Sequence, residues 1–193
     1  MLIPRRLLLV LAFIAATLDV SSVFADVIEV RNVSVVQADD ALVVGADFGF
    51  DLTQRLEEAL NHGVALYFVV EFELVRPRWY WFDEKAASEK LTLRLVYHTL
   101  SRQYRVSRGA LYQNFPSLGE ALRTLGTVRD WAVVERERLK PEEGYVASLR
   151  MRLDTSQLPK PFQVSAFASR EWTLASDWTR VAFTANPAGG TAR

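Results

Sequence analysis

VALYFVVEFELVRPRWYWFDEKAASEKLTLRLVYHTLSRQYRV, residues 64–106, is the stretch whose reading decides the fold. Leu66, Phe68, Val70, Phe72 and Leu74 occupy every second position; Leu91, Leu93, Leu95 and Tyr97 repeat the pattern, and Tyr104 and Val106 follow it. Successive side chains of a strand point to opposite faces, so this spacing lays an apolar set along one face of each segment. Turn-prone clusters bound the runs: Arg76-Pro77-Arg78, where proline cannot donate to a ladder, then Ser101-Arg102 and Ser107-Arg108-Gly109. The stretch predicts three or four consecutive antiparallel strands, with residues 83–90 as a charged loop or single helical turn.

The flanking sequence continues the pattern. Ile28, Val30, Val33 and Val35 alternate with one slip at Arg31-Asn32, as one extra residue in a β-bulge would produce. After a turn at Asp39-Asp40, Leu42, Val44, Ala46, Phe48 and Phe50 form the second strand of a hairpin. Residues 51–62 change to helical spacing through Leu52, Leu56, Ala59 and Leu60, with Asp51 as N-cap and Gly63 closing the helix. Ser117-Leu118-Gly119-Glu120 has the form of a capping box, and Ala121, Leu122 and Leu125 supply the apolar stripe of a second short helix ending at Gly126. Residues 131–139 alternate again, and Tyr145, Ala147, Leu149, Met151 and Leu153 mark a strong strand. Residues 158–161 read as rigid and extended, residues 162–168, 171–174 and 178–183 as weaker strands, and 185–193 as a disordered tail. The expected fold is mainly β: an antiparallel β-sandwich or strongly bent sheet of about 8–10 strands with two short helices, in one domain over residues 26–184.

Residues 1–25 are set apart. Arg5 and Arg6 precede an almost purely apolar run from 7 to 18, and Val23-Phe24-Ala25 places small residues where a signal peptidase cuts. The apolar run is short of the roughly 20 residues that cross a bilayer as a helix. The expectation is a cleavable signal peptide, cut after Ala25, and a soluble product in the periplasm or outside the cell with no stable membrane insertion. Without these residues the net charge is about −1, which argues against nucleic acid and anionic lipid as bulk partners. The chain has no cysteine. That excludes disulfides, thiolate nucleophiles, cysteine-based metal or redox centres and a lipidated N-terminal cysteine, and it favours a bacterial envelope protein over a small disulfide-built extracellular module.

Catalytic signatures are missing from the sequence. His62 and His98 are the two histidines, and neither has a partner at metal-ligand spacing; no GxSxG elbow or SxxK set is present. No metal, cofactor or catalytic residue is therefore expected. Glu71 and Glu73, two apart on one strand face, could serve carboxylate chemistry, but the parity of Phe72 and Leu74 puts both on the solvent side. Two features point to recognition instead. Trp79-Tyr80-Trp81-Phe82 is either a doubly buried strand or an exposed aromatic platform of the kind that grips sugars or peptides. Arg94, Arg105, Arg150 and Arg152 fall on the polar side of their strands. If those strands are neighbours, the arginines form either an anion-binding stripe or a cross-strand ladder with Glu71, Glu73, Glu135 and Glu137.

RPRWYWFDE (76–84), LSRQYRV (100–106), SLGEALRTLG (117–126), LRMRLDTSQLPKPFQ (149–163) and REWTLASDW (170–178), behind a signal peptide, together resemble a bacterial envelope family known as domain of unknown function 4390. The resemblance implies a periplasmic or secreted protein with no assigned activity and no family active site to carry over. Members of that family are often encoded beside a membrane sensor histidine kinase and an rRNA methyltransferase, which implies an envelope protein as partner. The sequence reading is thus a non-enzymatic binding or interaction module with Trp79, Tyr80, Trp81, Arg94, Arg105, Arg150 and Arg152 as its candidate surface. The alternative is an envelope-polymer hydrolase using surface carboxylates such as Glu71, Glu73 or Asp83.

Overall fold

The computed structural model describes residues 28–80 and 82–186. The signal-peptide reading and Trp81 lie outside the described residues. Among the described residues nine strands lie in two antiparallel sheets. β1 (Glu29–Gln37), β2 (Ala41–Gly49) and β7 (Thr127–Glu135) form the smaller sheet, in the order β1-β2-β7. The larger has the order β6-β5-β4-β3-β8-β9, from β3 (Leu66–Arg76), β4 (Glu84–His98), β5 (Gln103–Arg108), β6 (Leu111–Phe115), β8 (Gly144–Leu153) and β9 (Thr179–Thr184).

β3 lies at the centre of the larger sheet, paired with β4 on one side and β8 on the other. Leu66, Phe68, Val70, Phe72 and Leu74 are fully buried on its inner face, flanked by Leu93 and Leu95 of β4 and by Leu149, Met151 and Leu153 of β8. Leu42, Val44, Ala46 and Phe48 of β2 and Val128 and Trp131 of β7 belong to the same core, with Trp131 edge-on to Phe72 at 6.3 Å. Burying side chains of this size stabilises by roughly 1.5–3 kcal/mol each. The expected bulge is present: the β1–β2 register shifts between Arg31 and Ser34, and Asn32 takes a φ of 47°.

Two foreseen helices cover the ends of the core. α1 (Gln54–Asn61) buries Leu56, Ala59 and Leu60, and its N-cap is Thr53 rather than Asp51: Thr53 Oγ1 accepts the Leu56 N–H at 3.2 Å and donates to the Glu171 carbonyl at 2.7 Å. α2 (Leu118–Leu125) is capped by Ser117, which accepts the Glu120 N–H as the capping box requires.

Several expectations are corrected. Residues 160–168 form a third helix, α3 (Lys160–Ala168), not an extended run and a strand. Proline in the first turn of a helix loses no hydrogen bond, so Pro159 and Pro161 start this one. Phe162 and Ala166, four apart, pack on the core, with Phe162 5.4 Å from the ring of Trp172. Residues Arg170–Trp172 and Arg136–Arg138 are 3₁₀ turns rather than strand. Charged residues 84–90 are strand, because pairing with β3 overrides their weak propensity. Chain order continues past the expected start of the tail: Ala185 is buried, and Asn186 exchanges two hydrogen bonds with the Gln37 side chain. Among the described residues no helix is long and apolar enough to cross a membrane.

Candidate functional site

Even-numbered residues of β3 face the core, so the odd-numbered ones face away from the second sheet, and the register carries that face across the larger sheet. Arg94 lies opposite Tyr67, Arg105 opposite Val96, Arg152 opposite Val69 and Arg150 opposite Glu71. All four arginines singled out from the sequence therefore share one outer face. They divide into two pairs with different chemistry.

Arg150 and Arg152 are neutralised. Glu71, only 7% exposed, accepts from Arg150 Nε at 2.6 Å and from Arg152 Nη2 at 3.1 Å, with Lys90 Nζ 3.5 Å away. Burial pushes the Glu71 carboxyl up, but the hydrogen bonds and charges of the two arginines prevail and hold its pKa at about 2. This is the cross-strand ladder foreseen as one of two alternatives. It also corrects the placing of Glu71 on an open solvent face: its parity is outward, yet its neighbours cover it. Arg150 stacks on Trp178 at 4.5 Å as well.

Arg94 and Arg105 differ in having no carboxylate partner among the described residues. Each is held by an aromatic ring instead: Arg94 lies 5.8 Å from the centre of Tyr67, and Arg105 lies 4.4 Å over Tyr112 while its Nε donates to Asn114 Oδ1 at 2.9 Å. Between them is a groove of about 390 Å³ lined by Tyr67, Thr92, Arg94, Arg105, Ser107 and Tyr112. Guanidinium groups braced in this way keep planar forks available for a carboxylate or phosphate. Sequence reasoning found the arginines but missed Tyr112, because β6 shows no apolar alternation.

Trp79, Tyr80 and Phe82 stand on a loop tip, not on a buried strand. Trp79 is 94% and Phe82 86% exposed, and Tyr80 packs edge-on to Trp79 at 5.0 Å. The loop is held at its base, where Arg76 and Arg78 both pair with Glu84, Arg76 also reaches Glu143 at 3.2 Å, and the Asp83 carboxylate accepts the Arg78 N–H. It follows Arg76, whereas Tyr67 begins the same strand, so tip and groove stand about 30 Å apart at the usual rise per residue. The candidate residues thus form three separate places rather than a single surface: the tip, the Glu71 cluster and the Arg94–Arg105 groove.

The carboxylates named for hydrolysis do not converge. Glu71 is locked between arginines, Glu73 pairs with Lys85 at 2.7 Å, and Asp83 closes the loop base. Glu58 and Glu171 do share a shallow groove of about 340 Å³, but Arg55 sits between them, 3.8 and 3.2 Å away. With Arg55 between them, the two carboxylates do not face each other across the groove as an acid and base pair would. His98 ends β4, at the far end of the strand from Glu84 and Glu89, and His62 Nδ1 is 2.7 Å from the Glu58 carbonyl. Among the described residues no group of three His, Asp or Glu side chains could hold a metal.

Fold and site together define a class: a cysteine-free, two-sheet antiparallel β protein with a cationic, aromatic-braced groove on the outer face of its larger sheet. The chain belongs to the family described as Domain of unknown function (DUF4390), whose family model matches residues 25–182. That agrees with the resemblance carried by the segments between 76 and 178. No curated protein and no solved structure matches the chain.

Proposed function

We propose that this protein is a non-enzymatic binding module of the bacterial periplasm or exterior, and that the Arg94–Arg105 groove recognises an anionic group of an envelope partner. The observation that carries the reading is the contrast within one sheet face. Arg150 and Arg152 have a carboxylate of the protein itself, while Arg94 and Arg105, each set against an aromatic ring, have none among the described residues. Two cations that line one groove without a carboxylate among the described residues are an arrangement that an incoming anion stabilises. A membrane sensor kinase, suggested by the gene neighbourhood of the family, is one partner of the right compartment. The exposed tip at Trp79 and Phe82 supports a second contact, since aromatic side chains at a rigid loop end bury much area at little entropic cost.

Capture from an envelope extract tests both contacts. The purified chain is immobilised beside three variants: Arg94→Glu with Arg105→Glu, Arg102→Glu with Arg138→Glu, and Trp79→Ala. The groove variant is expected to lose at least tenfold in captured partner, while the control, with the same change of net charge, keeps it. Equal capture by both charge variants would remove the groove from the reading, and undiminished capture by Trp79→Ala would remove the tip.

A further inference from the structure

Each sheet has two edge strands, and three of the four carry the devices that stop edges from pairing with other chains. β1 is broken by the bulge at Asn32 and carries Glu29 and Arg31. β7 shifts register against β2 and is kinked at Asp130, with a φ of 51°. β9 carries Arg180. Charges, bulges and kinks of this kind are how natural sheets blunt their edges. β6 has none of them. It reads Leu-Tyr-Gln-Asn-Phe, without charge or proline, and pairs with β5 in unbroken register from Leu111 to Phe115.

The hairpin that presents β6 fixes which groups face outward. Gly109 and Ala110 join Arg108 to Leu111, and Gly109 takes the φ of +58° that a two-residue turn with glycine first requires. The closing pair of such a hairpin is the hydrogen-bonded one, and bonded and non-bonded pairs then alternate. Arg108–Leu111, Val106–Gln113 and Tyr104–Phe115 are therefore the bonded pairs. The main-chain N–H and C=O groups of Tyr112 and Asn114 point away from β5, toward the side of β6 on which the sheet has no strand.

Each face of this edge is prepared differently. On the outer face Arg105 reaches over Tyr112 and bonds Asn114, so its guanidinium already lies above β6 and not above its own strand. On the inner face a recess of about 220 Å³ opens beneath the hairpin, with Leu93, Val106, Leu111, Gln113, Thr124 and Val128 in its lining. Leu111, at its mouth, is 77% exposed. A strand laid beside β6 sends alternate side chains to these two faces.

We infer that β6 is an acceptor edge, to which an extended partner segment alternating acidic and apolar side chains adds as a seventh strand. Its acidic set meets Arg105 where that guanidinium lies over β6; its apolar set covers Leu111 and the recess. This rests on the proposed role of the groove and specifies the partner's chemistry. Main-chain hydrogen bonds to Tyr112 and Asn114 supply the mode of attachment, and the two faces supply the selectivity.

The test uses three labelled ten-residue peptides with the full chain: one alternating glutamate and valine, one alternating lysine and valine, and one of the first composition with its glutamates grouped at one end. Fluorescence anisotropy measures binding, and amide hydrogen exchange by NMR reads the edge. The glutamate–valine peptide is expected to bind at least tenfold tighter than either of the others, to slow exchange at Tyr112 and Asn114 at least tenfold, and to lose tenfold in affinity with Arg105→Glu. Asn114→Pro, which removes an outward N–H, should abolish binding; amide protection in the unaltered protein decides the matter if that variant does not fold. Equal binding of the grouped peptide, or no change in exchange at Tyr112 and Asn114, overturns strand addition. That result leaves the groove in place if capture still depends on Arg94 and Arg105, whereas capture indifferent to them removes the groove itself.

Discussion

Glu71 shows how a single side chain organises the outer face. Its position opposite Arg150, with Arg152 two residues along, ties β3 to β8 and supplies both arginines with a carboxylate partner. Its folded pKa of about 2 lies below the ordinary 4.5, so the stabilisation is fully present above about pH 4.5 and is lost as pH falls toward 2. A shift of that size corresponds to about 3 kcal/mol, which screening at the third-exposed arginines reduces to about 2 kcal/mol. Glu71→Gln should therefore lower stability at pH 7 by about 2 kcal/mol in urea unfolding and flatten the loss between pH 4.5 and 2. Asp47, whose carboxylate is held down by Arg129 and Asn32, and Glu84, held down by Arg76 and Arg78, keep their share of the acid sensitivity in both proteins. Parallel pH curves for the two proteins would show that the cluster contributes nothing. The sequence told the parity of Glu71 but not its cover, because which strand lies beside β3 is a property of the fold and not of the local pattern.

At the scale of elements, α2 and the smaller sheet meet backbone to backbone at Gly126. The Phe48 N–H donates to the Gly126 carbonyl at 2.8 Å, and a Cβ on Gly126 would stand 2.1 Å from the Phe48 carbonyl oxygen. Backbone cannot swing aside as a side chain can, so Gly126→Ala should cost about 2–4 kcal/mol in urea unfolding. Gly119, near the start of the same helix, has open space around it, and Gly119→Ala should instead gain about 0.5–1 kcal/mol. A mild effect at Gly126 would mean that α2 and β2 are not locked together there. Strong periodicity made β2, β3, β8 and both capped helices legible. α3 was not, since Phe162, Val164 and Ala166 also sit two apart and the prolines read as extended chain. β6 was not either, because an edge strand open on both faces has no apolar alternation to show.

Across the whole molecule, the two sheets hide one face of each strand set, and the outer face of the larger sheet carries the groove proposed for recognition. Near-neutral total charge concealed this, because the acidic residues are not spread evenly. The groove between Arg94 and Arg105 has no carboxylate of its own among the described residues. That the arginines share a face was legible from parity; that two of them are already spent on Glu71 was not, for it depends on the order β4-β3-β8. Arginine-directed labelling with phenylglyoxal, with and without an envelope fraction and read residue by residue by mass spectrometry, addresses the groove most directly. Arg94 and Arg105 should be protected at least fivefold by the fraction while Arg102 and Arg138 label as before; equal labelling of all four would contradict a binding role for the groove.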